Sequence, residues 1–191
     1  YRAVALAAHR ANCDCGDCEQ VTRLCGEQHI DFRREAEGER VLLNGEDVSE
    51  AIRTPEISLL TSRISSCSGV RRILVRRQQE IGAAGGVVLE GRDTGTVVFP
   101  KADVKFFLTA DVAERGKRRW LELKARGIDA DLESTIAEMQ ERDRADMNRT
   151  DSPLSKADDA VVIDATTLTI EEVLSRMEDI VRVRAAEKGI Q

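Results

Sequence analysis

The stretch Val87-Val88-Leu89-Glu90-Gly91-Arg92-Asp93-Thr94-Gly95-Thr96-Val97-Val98 constrains this chain more than any other. It runs from an apolar, strand-like segment into a tight loop that carries a cation and an anion side by side. In an open α/β sheet ligands sit at the carboxyl ends of strands, so such a loop can hold a charged ligand. Gly91 and Gly95 permit dihedrals and close approaches that a side chain would block, leaving Arg92 and Asp93 to meet it. A structural Arg–Asp pair buried at a strand end accounts for the same residues, and the loop alone leaves both readings open.

The rest of the chain predicts a mixed α/β fold. Residues 1–10 are Ala-rich and helical, and a Cys/Asp/Gly segment then breaks the helix. Ile30-Asp31-Phe32 and Val41-Leu42-Leu43 alternate with polar turns at Glu37-Gly38 and Asn44-Gly45, the pattern of a small antiparallel insert. Thr54-Pro55 supplies an N-cap and a first-turn proline for a helix to about Ser66, and a second helix follows Gly69 to about Ile81. Strands are expected at 86–90, Val104–Leu108 and Ala160–Asp164. Asp111 with Glu114 and Thr169 with Glu172 are capping-box patterns for two helices, the first to about Ala125, and Leu132 to about Asn148 is another. Apolar strands alternating with helices indicate a parallel sheet covered on both faces by helices.

Composition bounds the function. With 191 residues the chain can build one good core and a small satellite domain. A formal net charge of -6 argues against a general nucleic-acid binder, whose counterion release requires a basic face. Arginine nevertheless supplies 23 of the 29 cations, a bias toward planar, bidentate recognition of phosphate or carboxylate, although Arg-rich surfaces arise without it. With no apolar run near membrane-spanning length and no leader-like start, a soluble, cytoplasmic protein without a membrane partner is expected.

The helix from Leu132 offers the strongest argument for a site. Leu132, Ile136 and Met139 form an apolar stripe at helical spacing, and the stripe continues through Arg142, Asp146 and Arg149. A core-facing stripe that turns charged without changing direction has entered a cleft, unless the helix simply runs out into water. On the capped helix before it, Arg115 and Arg119 are one turn apart with Arg118 beside them. Three such cations repel unless an anion compensates them, although a solvated helix face tolerates them at small cost, and a phosphate chain would provide the compensation.

Taken together, these residues resemble bacterial cytidylate kinases of the nucleoside monophosphate kinase family. The resemblance rests on the loop Gly91–Pro100, Leu43–Ser49 followed by Ile52-Arg53-Thr54, the run Val70-Arg71-Arg72, and Glu141–Arg144 with Asp146 and Arg149, and it covers essentially the whole chain. It implies a P-loop NTPase-like parallel sheet with helices on both faces and transfer of the γ-phosphoryl group of ATP, with Mg²⁺, to CMP or dCMP by a monomeric enzyme. It implies a core at 1–29 and 82–191, a lid at about 115–150, and a monophosphate-binding insert region at 30–81. Tyr1 and Arg2 match a pair whose arginine holds the acceptor phosphate, and Arg92 matches a second such arginine. Ser62, Arg71 and Asp93 match positions that read the cytosine edge, with Arg149 beside them. Arg142 and Asp146 match a sugar-binding pair, and Arg115, Arg118 and Arg119 fall at the start of the lid. Phosphoryl transfer depends on positioning and charge neutralisation more than on acid–base chemistry, which suits a site rich in arginine.

One departure stands out: no G-x-x-x-x-G-K-[ST] occurs in the sequence. In the family that loop, with its lysine and magnesium ligand, precedes the position of Tyr1, so the expectation is a truncated chain, inactive alone, that lacks the first strand of the sheet. Cys13, Cys15, Cys18 and Cys25, with His29 nearby, suggest an alternative: a non-catalytic nucleotide-binding module or pseudokinase carrying zinc or a cluster. The spacing is not a standard paired-knuckle pattern, and an incidental loop cluster fits it as well. Cys67 is expected to pack as an isolated small apolar residue, and disulfides are not expected in a cytosolic protein.

Overall fold

A computed structural model describes residues 1–36 and 38–189, and the chain divides into two compact units, Tyr1–Val87 and Val88–Gln191. The first unit is built around α1 (Arg2–Arg10), in which every residue from Ala3 to Ala8 is buried. An Ala-rich helix is slim enough to be packed on all sides, and α1 meets both α2 (Cys18–Glu27) and α3 (Pro55–Ile64). The core around it includes Val4, Val21, Cys25, Val48, Ile64 and Val70. Helix α4 (Ser68–Gly82) packs against α2 so closely that a Cβ on Gly69 would lie 2.3 Å from Thr22 Oγ1. Gly69 is therefore inside the first turn of α4, where its missing side chain permits the contact, and does not precede the helix as a break.

The antiparallel insert forms as expected. Strand β1 (Ile30–Glu35) pairs with β2 (Gly38–Leu43), and β2 with β3 (Glu46–Asp47). Asn44 and Gly45 both have positive φ, 52° and 86°, the two-residue turn whose twist matches that of the flanking strands. Of the expected Glu37-Gly38 turn, Glu37 lies outside the described residues. Thr54 caps α3, its Oγ1 accepting from the Ile57 amide, with Pro55 in the first turn.

The second unit holds β4 (Phe106–Thr109) and β5 (Val161–Asp164), paired in parallel from Phe106↔Val161 to Thr109↔Asp164. Three helices accompany them: α5 (Val112–Ala125), α6 (Leu132–Met147) and α7 (Ile170–Glu187). Helix α7 carries the full reciprocal box between Thr169 and Glu172. Helix α5 has only half of one. Asp111 accepts the Ala113 and Glu114 amides, but the Glu114 carboxylate turns away to Arg118.

Two expectations about the sheet need correction. Residues 86–90 are not a strand: the run is irregular, and Val88 is fully exposed. A strand exists only by pairing, and among the described residues no backbone ladder reaches this run, so its apolar composition alone does not extend it. Among the described residues the parallel sheet accordingly has two strands rather than three, and Leu108 and Val162 on it remain more than half exposed. Among the described residues no helix is long and apolar enough to cross a membrane.

Candidate functional site

Each unit carries its own group of the sequence-predicted residues. In the first, Arg2 sits at the start of α1, and its Nη1 donates to the Ile52 carbonyl and to Ser58 Oγ, both at 2.9 Å. Arg71 is buried on α4 and donates from Nη1 to the Ser65 carbonyl at 3.2 Å. Its guanidinium carbon stands 5.8 Å from the centroid of the Tyr1 ring, within cation–π range. Ser62 is half-buried, and its carbonyl accepts from Ser65 Oγ at 2.8 Å, so Ser65 links the Ser62 turn to Arg71. The structure thus brings Tyr1 and Arg71 together, with Ser62 one step away, and holds Arg2 toward the 51–53 turn and α3.

In the second unit the charged continuation of the α6 stripe converges on one carboxylate. Asp146 is 0% exposed, and three arginines surround it. Arg92 Nε donates to Oδ2 at 2.9 Å, Arg149 Nη2 contacts Oδ1, and Arg142 Nε lies 3.9 Å from Oδ2. A carboxylate fully removed from water is tolerable only when paired in this way. The helix has therefore not run out into solvent: Leu132, Ile136, Met139, Arg142 and Arg149 are all at least partly covered.

The loop before it folds around the backbone of Asp93. Residues Thr94–Val98 form a single π-turn, and the Asp93 carbonyl accepts from the amides of Thr96, Val97 and Val98 at 3.3, 2.8 and 3.2 Å. A Cβ on Gly91 would meet Thr94 Cγ2 at 2.8 Å, so a larger residue there would have to displace the Thr94 side chain. The alternative of an Arg92–Asp93 pair is not what forms. Arg92 bonds instead to Asp146, 54 residues away, while its two Nη groups are not engaged by the described residues.

Arg142 is the least satisfied of the cluster. Its Nε is buried, and it makes no hydrogen bond among the described residues. Burial, followed by the neighbouring positive charges of Arg92 and Arg119, pulls its guanidinium below the ordinary arginine range, with Asp143 opposing.

The three α5 arginines each have an anionic partner within the chain. Arg115 Nη1 donates to Asp143 Oδ2 at 2.6 Å, Arg118 Nε to Glu114 Oε1 at 2.9 Å, and Arg119 Nη1 to Glu122 Oε2 at 2.7 Å. Protein carboxylates supply the first compensation. Arg118 is further tied through Nη2 to the carbonyls of Ala165, Thr166 and Leu168. Asp143 is a residue that spacing along the chain did not single out, because its partner lies on a different helix.

The cysteine cluster does not form the suggested ligand set. Cys18 is joined to Cys67 by a disulfide with the Cα atoms 5.3 Å apart, so Cys67 is not isolated and the expectation of no disulfide is overturned. The reason is the close approach of α2 and α4 at Thr22 and Gly69, which places the amino ends of both helices within bonding range. Cys13, Cys15 and Cys25 are free thiols, and burial raises the pKa of each. Among the described residues no three His, Cys, Asp or Glu side chains gather to hold a metal, so the cysteine segment forms no seat for zinc there.

A mixed α/β chain with helices and a parallel sheet is consistent with the P-loop-like fold of nucleoside monophosphate kinases. Comparison with known proteins narrows the class: a family model described as "Cytidylate kinase" matches residues 1–183. The cytidylate kinase of Syntrophotalea carbinolica is 58% identical over 184 residues, covering 96% of this chain and 78% of that protein. That of Geobacter sulfurreducens is 55% identical over 184 residues, covering 96% and 79%. That of Bacillus subtilis is 44% identical over 185 residues, covering 97% and 83%. The chain belongs to the cytidylate kinase family, a family of phosphotransferase enzymes.

Proposed function

We propose that these residues hold the acceptor and the travelling phosphoryl group in a transfer from ATP to CMP or dCMP. The observation that carries this reading is Arg142, a half-covered arginine whose Nε is buried without a hydrogen bond among the described residues, in a cluster whose arginines outnumber its carboxylates. In the transfer a phosphate oxygen of the monophosphate bonds to the γ-phosphorus while the bond from that phosphorus to the departing ADP breaks. Charge spreads over the phosphoryl oxygens, and preorganised guanidinium groups neutralise it without needing a general base.

Under this reading Arg2 and Arg92 hold the acceptor phosphate, and the unengaged Nη groups of Arg92 suit that task. Ser62, Arg71 and Asp93 read the cytosine edge, with Tyr1 against Arg71 and Arg149 beside the base. Arg142 and Asp146 hold the sugar. Arg115 and Arg119 face the phosphates from the start of a lid at about 115–150, while Arg118, committed to three carbonyls, anchors that helix. The antiparallel strands lie in the monophosphate-binding region at 30–81. ATP is the donor. Its usual phosphate loop is not among these 191 residues, so acceptor binding is the property to measure first.

Calorimetry on the chain should show CMP and dCMP binding, with UMP weaker. R142A should weaken dCMP about tenfold, the cost of one charge-assisted contact. Absence of binding by both CMP and dCMP would refute the acceptor assignment. A coupled assay with ATP then tests whether CDP forms.

A further inference from the structure

Arg115 is held at two edges of its guanidinium plane. Nε donates to the Ala110 carbonyl at 3.0 Å and Nη1 to Asp143 Oδ2 at 2.6 Å, while Nη2 is not engaged by the described residues. Both partners of the ion pair are more than half covered, with side-chain exposures of 32% and 19%. The clamp is set by packing as well as by charge. Gly116, the next residue, lies against Ile136 so closely that a Cβ there would fall 2.3 Å from Ile136 Cγ1. Ile136 and Asp143 are two turns apart on α6, so one face of that helix supplies both the wedge that seats α5 and the carboxylate that aims its arginine.

An arginine side chain ordinarily loses considerable rotamer freedom when it engages a ligand. One already fixed at two edges meets the ligand with that cost behind it, its third edge presented as a preset donor. The same α6 segment carries Arg142 and Asp146, so Asp143 sits between the nucleotide-facing cluster and the helix that follows β4.

We infer that Asp143 is a positioning residue: it acts through Arg115, holding the guanidinium so that Nη2 is ready for a phosphate oxygen. This rests on the reading of α5 as the phosphate-facing helix. The alternative of plain electrostatics predicts the opposite sign, because removing a carboxylate from a cationic cluster strengthens anion binding.

The test is calorimetric titration of the full chain with inorganic tripolyphosphate, with emission from Trp120, the sole tryptophan, reporting the state of α5. R115A should weaken binding about tenfold, D143A by a similar factor, and the double variant no further than either single one. D143N keeps an acceptor for Nη1 without the charge and should bind within about threefold of the parent. If R115A binds as the parent does, the phosphate-facing reading of α5 fails and the proposal with it. If R115A weakens binding but D143A leaves it unchanged or tightens it, Asp143 does not position Arg115. A merely structural tie would lower the melting temperature of D143A and leave tripolyphosphate affinity where it was, which also overturns the proposal.

Discussion

Asp146 shows what a single residue contributes to this site. Its carboxylate is fully buried, yet Arg92 and Arg142 keep 42% and 39% of their side chains exposed, so it joins a dry interior to a wet cationic surface. Substitution by Ala would leave three guanidinium groups facing one another without their shared anion. Loss of one partner from a buried charge network costs about 3–5 kcal/mol, and the solvent access of two arginines places D146A near the lower end. Urea unfolding of D146A against the parent measures this, and a loss below about 1 kcal/mol would show that the arginines relax into solvent at little cost. The spacing of Arg142 and Asp146 made the core of this cluster legible, because residues four apart share a helix face whatever surrounds them, while Arg149 joins it from just past the end of α6. The partners of Arg92 and Arg115 were not legible. They lie 54 and 28 residues away, and local spacing carries no information about which helix packs where.

Elements that announce themselves through their caps were legible. Thr54-Pro55 and Thr169 with Glu172 begin helices as expected, because a cap is a local bargain between one side chain and the amides that follow. Helix α2 carries the same signal: Asp17 accepts the Glu19 and Gln20 amides, and Val21, Leu24 and Cys25 follow at helical spacing. The four cysteines around it suggest a ligand loop, which hides that pattern. The run at 86–90 fails for the opposite reason, since a strand depends on a partner that its own residues cannot specify. Close helix pairing belongs to this scale too, and Gly116 tests it. A methyl group there would strike Ile136 at 2.3 Å from Cγ1 and 3.2 Å from the backbone Cα, so rotation of the side chain alone does not relieve it. G116A should separate α5 from α6 and cost about 1–3 kcal/mol, the usual penalty for overpacking, even though Ala favours an isolated helix. Thermal melting checks the sign. A more stable G116A would mean that helix propensity outweighs the contact and that α5 and α6 are loosely joined.

At the scale of the whole molecule, bulk charge and local charge point in opposite directions. The chain is acidic overall at -6, yet its candidate site gathers arginines around single carboxylates, so composition excludes a general polyanion binder without excluding a phosphate site. Covalent connectivity is the other global property, and here the structure departs furthest from expectation. The Cys18–Cys67 bond closes a loop of sequence separation 49 inside the Tyr1–Val87 unit, spanning the antiparallel strands and α3. On the chain-entropy account, closing a loop of that length removes about 4 kcal/mol of freedom from the unfolded chain. Dithiothreitol should therefore lower the melting temperature of the parent and leave that of C67S unchanged. Thiol counting gives an independent readout. Denatured, unreduced protein should alkylate three cysteines, and reduced protein all five. Within the native fold Cys25, fully buried and with its thiol pKa raised by that burial, should react more slowly than the partly exposed Cys13. Five reactive thiols before reduction, together with a melt insensitive to dithiothreitol, would show that α2 and α4 are held together without a covalent bond, by packing such as the Gly69–Thr22 contact.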